Sequence, residues 1–276
     1  MGDSPPIGLI AGAGGLPAEA CSRLRTRGID VRVFAFEGIT APIQGEDELV
    51  WTRLGELARL RDALNTRSIE RVLIIGKFDR SLIEDPGGRL APDTEALALL
   101  GKVLDQADAN LMAIVADWLS EQGFELARQD ELLDAMLATS GRLSRTPASP
   151  RSTRDIEVGI AAVRALDPLG PAQAVAVKQG SVIAVESEGT DDLIRRAGEL
   201  AGAGVSLVKG ARRDQDRRLD LPTVGPGTIE ALATVEASAL AIEAGSTLIV
   251  SAEAFYREAD LAGISVSGWL RTEGEG

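Results

Sequence analysis

Histidine is absent from the 276 residues. That removes a Ser-His-Asp triad, His-ligated zinc and an imidazole base from the catalytic menu. Cysteine occurs once, as Cys21, which excludes an internal disulfide framework and any multi-cysteine zinc site. Aromatic residues make up only 3%, so few rings are available to stack bases, and the net charge of −13 opposes a nucleic-acid partner. No N-terminal stretch has the charged-then-apolar form of a secretion signal. The longest uncharged run near the start, SPPIGLIAGAGGLPA, is broken by Pro and Gly, and nothing approaches the ~20 apolar residues of a spanning helix. The expectation is a soluble cytoplasmic protein.

Carboxylates, lysine, arginine and backbone dipoles are left to carry any chemistry. A hard divalent cation such as Mg²⁺, which prefers oxygen ligands, is the natural metal. Hydrophobic residues reach 45%, ample for an aliphatic core, and the length suits two domains or one large one.

Short apolar runs alternate with helical patterns through the first half. IGLIAG (7–12), VRVFAF (31–36) and RVLIIGKF (71–78) read as strands. Residues 16–28, 54–67 and much of 93–122 read as helices, with Asp108 and Asn110 at an ordinary helix start. Strands separated by such helices imply right-handed crossovers and a Rossmann-like parallel sheet. The stretch 139–154 then turns rich in Ser, Thr, Pro and Arg without hydrophobic period and reads as a linker. Beyond it come a helix at 155–166 with Asp155 as cap, two strands about Gln179-Gly180, and further mixed helices and strands. The expected organisation is two α/β domains: 1–138 Rossmann-like, a linker at 139–154, and a mixed-sheet catalytic domain at 155–276.

Four segments could carry chemistry. AGAGGLP places Gly12, Gly14 and Gly15 after the first strand, where backbone N–H groups can approach a phosphate at a helix start. The dinucleotide fingerprint would want a third glycine where Pro17 stands, although Glu37 lies near a ribose-holding position. A tight turn needing only small residues is the alternative. Gly76 and Lys77 end a buried strand, at the edge where open parallel sheets gather ligands; Lys77 either serves an anionic ligand there or is simply solvated. In VESEGTDDLIRR, Glu186 ends a strand, and Thr190 either caps the next helix or marks an anion-binding helix start.

RRDQDRRLD (212–220) packs four arginines and three aspartates into nine residues. If it is extended, Asp216, Arg218 and Asp220 point the same way, a cation between two anions. Two carboxylates can hold Mg²⁺ or orient water, and the arginine can neutralise a phosphoryl oxygen. The alternative is a solvated loop of mutually paired charges, each bridge worth ~0–1 kcal/mol.

LIAGAGGLP, NLM…ADWLSEQGF, AVESEGTDDLI and above all QDRRLDLPTVGPGTIE resemble the UDP-2,3-diacylglucosamine pyrophosphatases of lipid A synthesis, the LpxI family. The similarity runs from the first strand to AGISVSGW. It implies two α/β domains with the lipid-sugar ligand between them. It also implies Mg²⁺-dependent hydrolysis of UDP-2,3-diacylglucosamine to UMP and 2,3-diacylglucosamine 1-phosphate (lipid X). Carried onto this chain, it places Gln215, Asp216, Arg218 and Asp220 at the reacting pyrophosphate. The expected roles there are Asp220 as metal ligand or water-orienting base, Asp216 as second metal ligand and Arg218 as phosphate clamp. Gly12, Gly14, Gly15, Gly76, Lys77, Glu186, Thr190, Lys209 and Thr228 complete the expected substrate-binding set. Where family members often carry Lys-Pro-Gly, this chain has Arg212, Arg213 and Asp214. A membrane-derived ligand implies peripheral contact with inner-membrane lipid, and homo-oligomerisation stays open. Two rival readings are a nicotinamide-dependent oxidoreductase, resting on the partial glycine fingerprint, and a non-catalytic nucleotide-sugar binding protein.

Overall fold

The computed structural model describes residues 5–43, 49–78, 90–104, 111–169, 173–187 and 189–271. Asp108 and Asn110 lie outside them. The chain forms two compact units, the first comprising residues 1–133 together with 216–220, the second 134–215 and 221–276. Among the described residues no helix is long and apolar enough to cross a membrane.

The first unit is built on β1 (Ile7–Ala11), α1 (Leu16–Thr26), β2 (Val31–Phe36), β3 (Val50–Thr52), α2 (Leu57–Thr66), β4 (Arg71–Ile75), α3 (Thr94–Leu104), α4 (Leu111–Glu121), β5 (Glu125–Leu126) and a short α5 (Gln129–Leu132). Its five strands are all parallel, in the order β3-β2-β1-β4-β5, as the alternating strand and helix patterns require. Both faces of the sheet are covered, which is why β1 is apolar and buried throughout. Ile10, Phe34 and Ile74 share one cluster with Leu60 and Leu64 of α2 and Trp118 and Leu119 of α4. The alternate residues Leu9, Val33 and Leu73, also fully buried, point to the opposite face, and α1 lies against these strands. The strand order reverses at β1, the kind of switch point beside whose strand C-termini doubly wound sheets place ligands.

The second unit contains β6 (Gly141–Arg142), α6 (Pro150–Leu166), β7 (Ala174–Lys178), β8 (Ser181–Val185), α7 (Thr190–Ala201), β9 (Ser206–Lys209), β10 (Thr223–Val224), α8 (Pro226–Thr234), β11 (Ala239–Glu243), β12 (Leu248–Ile249), α9 (Ala252–Leu261) and β13 (Ser265–Trp269). Its main sheet is mixed, ordered β6-β13-β11-β9-β7-β8: the three central strands run parallel, and β6, β7 and β8 join antiparallel. Val175 and Val177 pack with Val163 of α6, while Ala174 and Ala176 face a second cluster with Leu193 of α7 and Phe255 of α9. The hairpin turn is the one expected. Gln179 and Gly180 both take positive φ, 53° and 75°, as a two-residue turn matching the strand twist needs.

Two expectations for this half give way. Residues 139–154 are part of the second unit: 141–142 pair with β13, and α6 begins at Pro150. The serines that suggest a linker serve the fold instead. Ser144 is buried with its Oγ accepting from Val266 N–H at 2.7 Å, and the Ser149 side chain caps α6 by accepting from Ser152 N–H. Asp155 is therefore no cap. It lies inside α6, buried, and accepts from the Gly180 N–H at 2.6 Å, pinning the hairpin turn.

Candidate active site

Residues 216–220 do not run extended. Asp216 accepts the Arg218 N–H at 3.0 Å through Oδ1, the local side-chain-to-backbone bond that turns an Asp-containing loop. Its carbonyl accepts from Leu219 N–H at 3.0 Å and Asp220 N–H at 3.1 Å. The segment is one tight helical turn, so Asp216 and Asp220 are neighbours through the i,i+4 relation rather than through strand alternation. Arg218 forms a fork on Asp216, with Nε to Oδ1 at 2.9 Å and Nη2 to Oδ2 at 2.6 Å. That guanidinium holds the Asp216 carboxyl below the ordinary carboxylate range against the opposing effect of burial, and Arg128 adds to the same direction. Asp220 is exposed.

Three contacts, none apparent in the sequence, seat this turn on the first unit. The Gln129 side chain donates to the Ile74 carbonyl near the end of β4 at 2.9 Å, and its backbone N–H donates to the Arg217 carbonyl at 2.8 Å. Gln129 therefore ties the turn to the strand that Gly76 and Lys77 follow. Asp130 accepts from Arg128 at 2.7 Å and from Arg217 at 2.9 Å, and these guanidiniums, Arg128 foremost, lower its pKa. Leu219 is buried in the cluster that contains Ile10 and Ile74.

The glycine segments divide by role. Ala13 and Lys77 exchange backbone hydrogen bonds at 2.9 and 3.0 Å, closing the two chains against each other beyond β1 and β4. A Cβ on Gly12 would sit 2.7 Å from the Lys77 carbonyl oxygen, and one on Gly76, at φ 100°, 2.9 Å from the Ala13 carbonyl oxygen. Chain packing thus accounts for both. A Cβ on Gly14 or Gly15 would meet nothing within 4 Å, so this pair leaves an open backbone surface before α1. Lys77 and Glu37 are exposed.

Within the second unit, Lys209, buried at the end of β9, donates to Thr190 Oγ1 at 2.7 Å and lies 3.6 Å from Glu186. Thr190 in turn donates to Glu186 at 2.7 Å. It is the first residue of α7 and does not cap it; Gly189 occupies the cap position with φ 105°. Glu186 also accepts from the Gln173 N–H at 3.2 Å, and the Gln173 amide meets Gln215 Oε1 at 3.2 Å. A continuous polar chain thus links Lys209 to Gln215, the residue before the turn, with Gln173 a member the sequence did not suggest. Burying the Lys209 ammonium is tolerable only because this carboxylate and hydroxyl receive it. Thr228 stands apart, accepting the Gly225 N–H at 3.3 Å at the start of α8.

Among the described residues no group of three or more Cys, Asp or Glu side chains is arranged to hold a metal unaided. Asp216 and Asp220 are nevertheless hard oxygen donors one turn apart. Mg²⁺ commonly takes one or two carboxylates and completes its shell with phosphate oxygens and water, so the donor set fits that ion.

Residues 6–136 match the LpxI N-terminal domain model and residues 139–267 the LpxI C-terminal domain model. The chain belongs to the LpxI family. It is 30% identical over 275 residues to the UDP-2,3-diacylglucosamine pyrophosphatase LpxI of Caulobacter vibrioides, covering 95% of this chain and 96% of that protein. Among solved structures it is similar to the CobK precorrin-6A reductase at 16% identity and a TM-score of 0.35, covering 98% of this chain and 90% of that one. A likeness of that size carries no argument about this LpxI chain.

Proposed function

We propose that this LpxI chain hydrolyses the pyrophosphate of UDP-2,3-diacylglucosamine, releasing UMP and 2,3-diacylglucosamine 1-phosphate, a step of lipid A synthesis. The observation that carries the reading is the 216–220 turn, in which an arginine forks onto one aspartate while a second aspartate lies one helical turn on. The water oxygen bonds to one phosphorus as that phosphorus loses its bond to the bridging oxygen. The bridging oxygen keeps the electron pair and departs on the other phosphate, and the protons of the water pass to the product phosphates or to solvent. That reaction needs no histidine. It needs neutralised phosphoryl oxygens and an oriented water.

Arg218 is suited to the first task because its fork fits a phosphate as well as it fits Asp216. In this reading it exchanges the carboxylate for phosphoryl oxygens when substrate arrives, and Asp216 regains free lone pairs. Asp220 orients the attacking water. Asp216 and Asp220 would hold Mg²⁺, which when bound supplies further charge neutralisation on the phosphates. Gly14 and Gly15 offer backbone N–H groups to an anion, and Lys77, Lys209, Glu186, Thr190, Gln215 and Thr228 remain the proposed substrate contacts.

The acyl chains need an apolar site, and the first unit offers one. A cavity of about 90 Å³ is lined by Ile10, Phe36, Leu60, Ile74, Ala96 and Met112 among others. Its accessible lining is apolar, as a hydrocarbon chain requires. A ligand drawn from the bilayer would bring the protein to the inner face of the inner membrane.

Incubation with UDP-2,3-diacylglucosamine in Mg²⁺ or in EDTA, following UMP, tests the reading. Release in Mg²⁺ that EDTA abolishes, and that Asp220→Ala loses, is expected. Tight binding of the substrate with no UMP under any divalent ion would instead make the chain a nucleotide-sugar binding protein.

A further inference from the structure

The residues that lead into the turn are gripped by a buried charge cluster far away in sequence. Arg271, beyond the last strand, forks onto Glu243 with Nε and Nη2 each at 3.0 Å and donates through Nη1 to Asp167 at 2.9 Å. It packs over the Trp269 ring at 5.8 Å, and the Trp269 indole N–H donates to the Lys209 carbonyl. All three charged side chains are largely enclosed, at 19%, 5% and 7% exposure for Arg271, Glu243 and Asp167.

The cluster spends its remaining hydrogen bonds on the backbone of residues 211–213. Arg271 Nη2 donates to the Ala211 carbonyl at 2.5 Å, the Ala211 N–H donates to Glu243 at 2.9 Å, and the Arg213 N–H donates to Asp167 at 3.1 Å. Between them, the Arg212 N–H donates to Gln215 Oε1 at 3.0 Å. Gly210 lacks a side chain for the same reason: a Cβ there would lie 2.9 Å from both Glu243 Oε2 and the Trp269 ring. Buried ion clusters are a poor source of net stability, because desolvation offsets their attraction. What this one supplies is a fixed backbone path to Gln215.

We propose that Arg271 is a positioning residue for the reaction, setting through Ala211 and Arg213 the backbone path that ends at Gln215. This rests on the hydrolytic reading above. Arg271 touches no reacting atom. It acts because small displacements of aligned groups are costly in rate: about 1 Å can lower turnover on the order of 100-fold.

The test compares wild type with Arg271→Lys and Arg271→Ala by two readouts. Amide hydrogen exchange over residues 209–216 needs no turnover; UMP release supplies kcat and KM per folded molecule. The expected result for Arg271→Ala is at least about tenfold faster exchange in that segment. Its kcat should fall about 10–100-fold with KM within about threefold, part of the loss being restored by millimolar guanidinium. Arg271→Lys, which keeps the charge but not the fork, should fall between. A folded Arg271→Ala protein with wild-type exchange and wild-type kcat overturns the proposal. So does failure of both variants to fold, which would make Arg271 a core stabiliser only. If wild type releases no UMP, the hydrolytic reading falls, while the exchange arm still decides whether Arg271 orders the segment.

Discussion

Asp130 and Arg217, 87 residues apart in sequence, meet at 2.9 Å. Through that contact a short turn from late in the chain becomes part of the first unit. The pair is half open to solvent on the arginine side, so its worth is discounted from a buried pair to about 1 kcal/mol. Its expected effect on turnover is larger. Asp130→Asn should cost about 1 kcal/mol in urea unfolding yet lower kcat by at least about tenfold, since the carboxylates of the turn lose their mooring. Equal losses in both Asp130→Asn and the surface control Asp62→Asn would show that the contact does not matter to turnover.

The glycines separate into two classes, and substitution should separate them too. Gly76→Ala forces a side chain into φ 100° and within 2.9 Å of backbone atoms, so several kcal/mol of destabilisation is expected. Gly15→Ala meets open space and should unfold within about 0.5 kcal/mol of wild type. If Gly15 faces the pyrophosphate, KM rises in Gly15→Ala although stability does not change. Thermal unfolding and steady-state kinetics on the two variants check both statements.

The pH dependence follows from the signs of two shifts. Asp216 and Asp130 have folded-state pKa values lowered chiefly by Arg218 and Arg128 respectively. A depressed carboxylate contributes stability that is fully present above its unfolded pKa, about 3.9, and is lost as pH falls through the lower folded value. Between pH 5 and 8 these groups should add nothing to the slope of stability against pH, and below about pH 4 stability should fall. In Arg218→Ala the Asp216 part of that loss should shrink, because the folded pKa returns toward the unfolded one. Urea midpoints measured from pH 3 to 7 would show it, and superimposable profiles for the two proteins would refute the assignment.

The parts legible in the sequence are those fixed by local pattern. Continuous apolar runs foretold the parallel sheet of the first unit, and Gln179-Gly180 foretold the β7–β8 hairpin of the second, because period and turn chemistry act over a few residues. The charged loop attracted notice for its composition, but its geometry did not follow. Strand alternation was the simple assumption for 216–220, and the Asp216 side chain bonding the Arg218 N–H two residues on overrides it. Gln129, Asp130, Asp167, Glu243 and Arg271 were invisible for another reason. Each acts on a partner 28 to 104 residues away, and a lone Asp or Arg carries no mark of which distant backbone it will meet. Polar caps misled in the same way: Ser144 and Ser149 look like linker residues until the N–H groups they bond are known.

The cavity in the first unit leads to a prediction that tells substrate recognition from chemistry. Ala96 is buried on α3 and lines it, so Ala96→Phe should project a ring into the empty space. Overpacking a filled core costs ~1–3 kcal/mol, whereas a ring entering vacant volume should leave stability near wild type. If an acyl chain occupies the cavity, kcat/KM for a long-chain UDP-2,3-diacylglucosamine should drop at least about tenfold. That equals about 1.4 kcal/mol, or roughly two methylenes denied burial at ~0.8 kcal/mol each. An analogue with two-carbon acyl groups, too short to need the cavity, should be turned over equally by both proteins. Parallel losses on the two substrates would mean that the ring disturbs the turn at 216–220 instead, and an unchanged long-chain rate would place the acyl chains elsewhere.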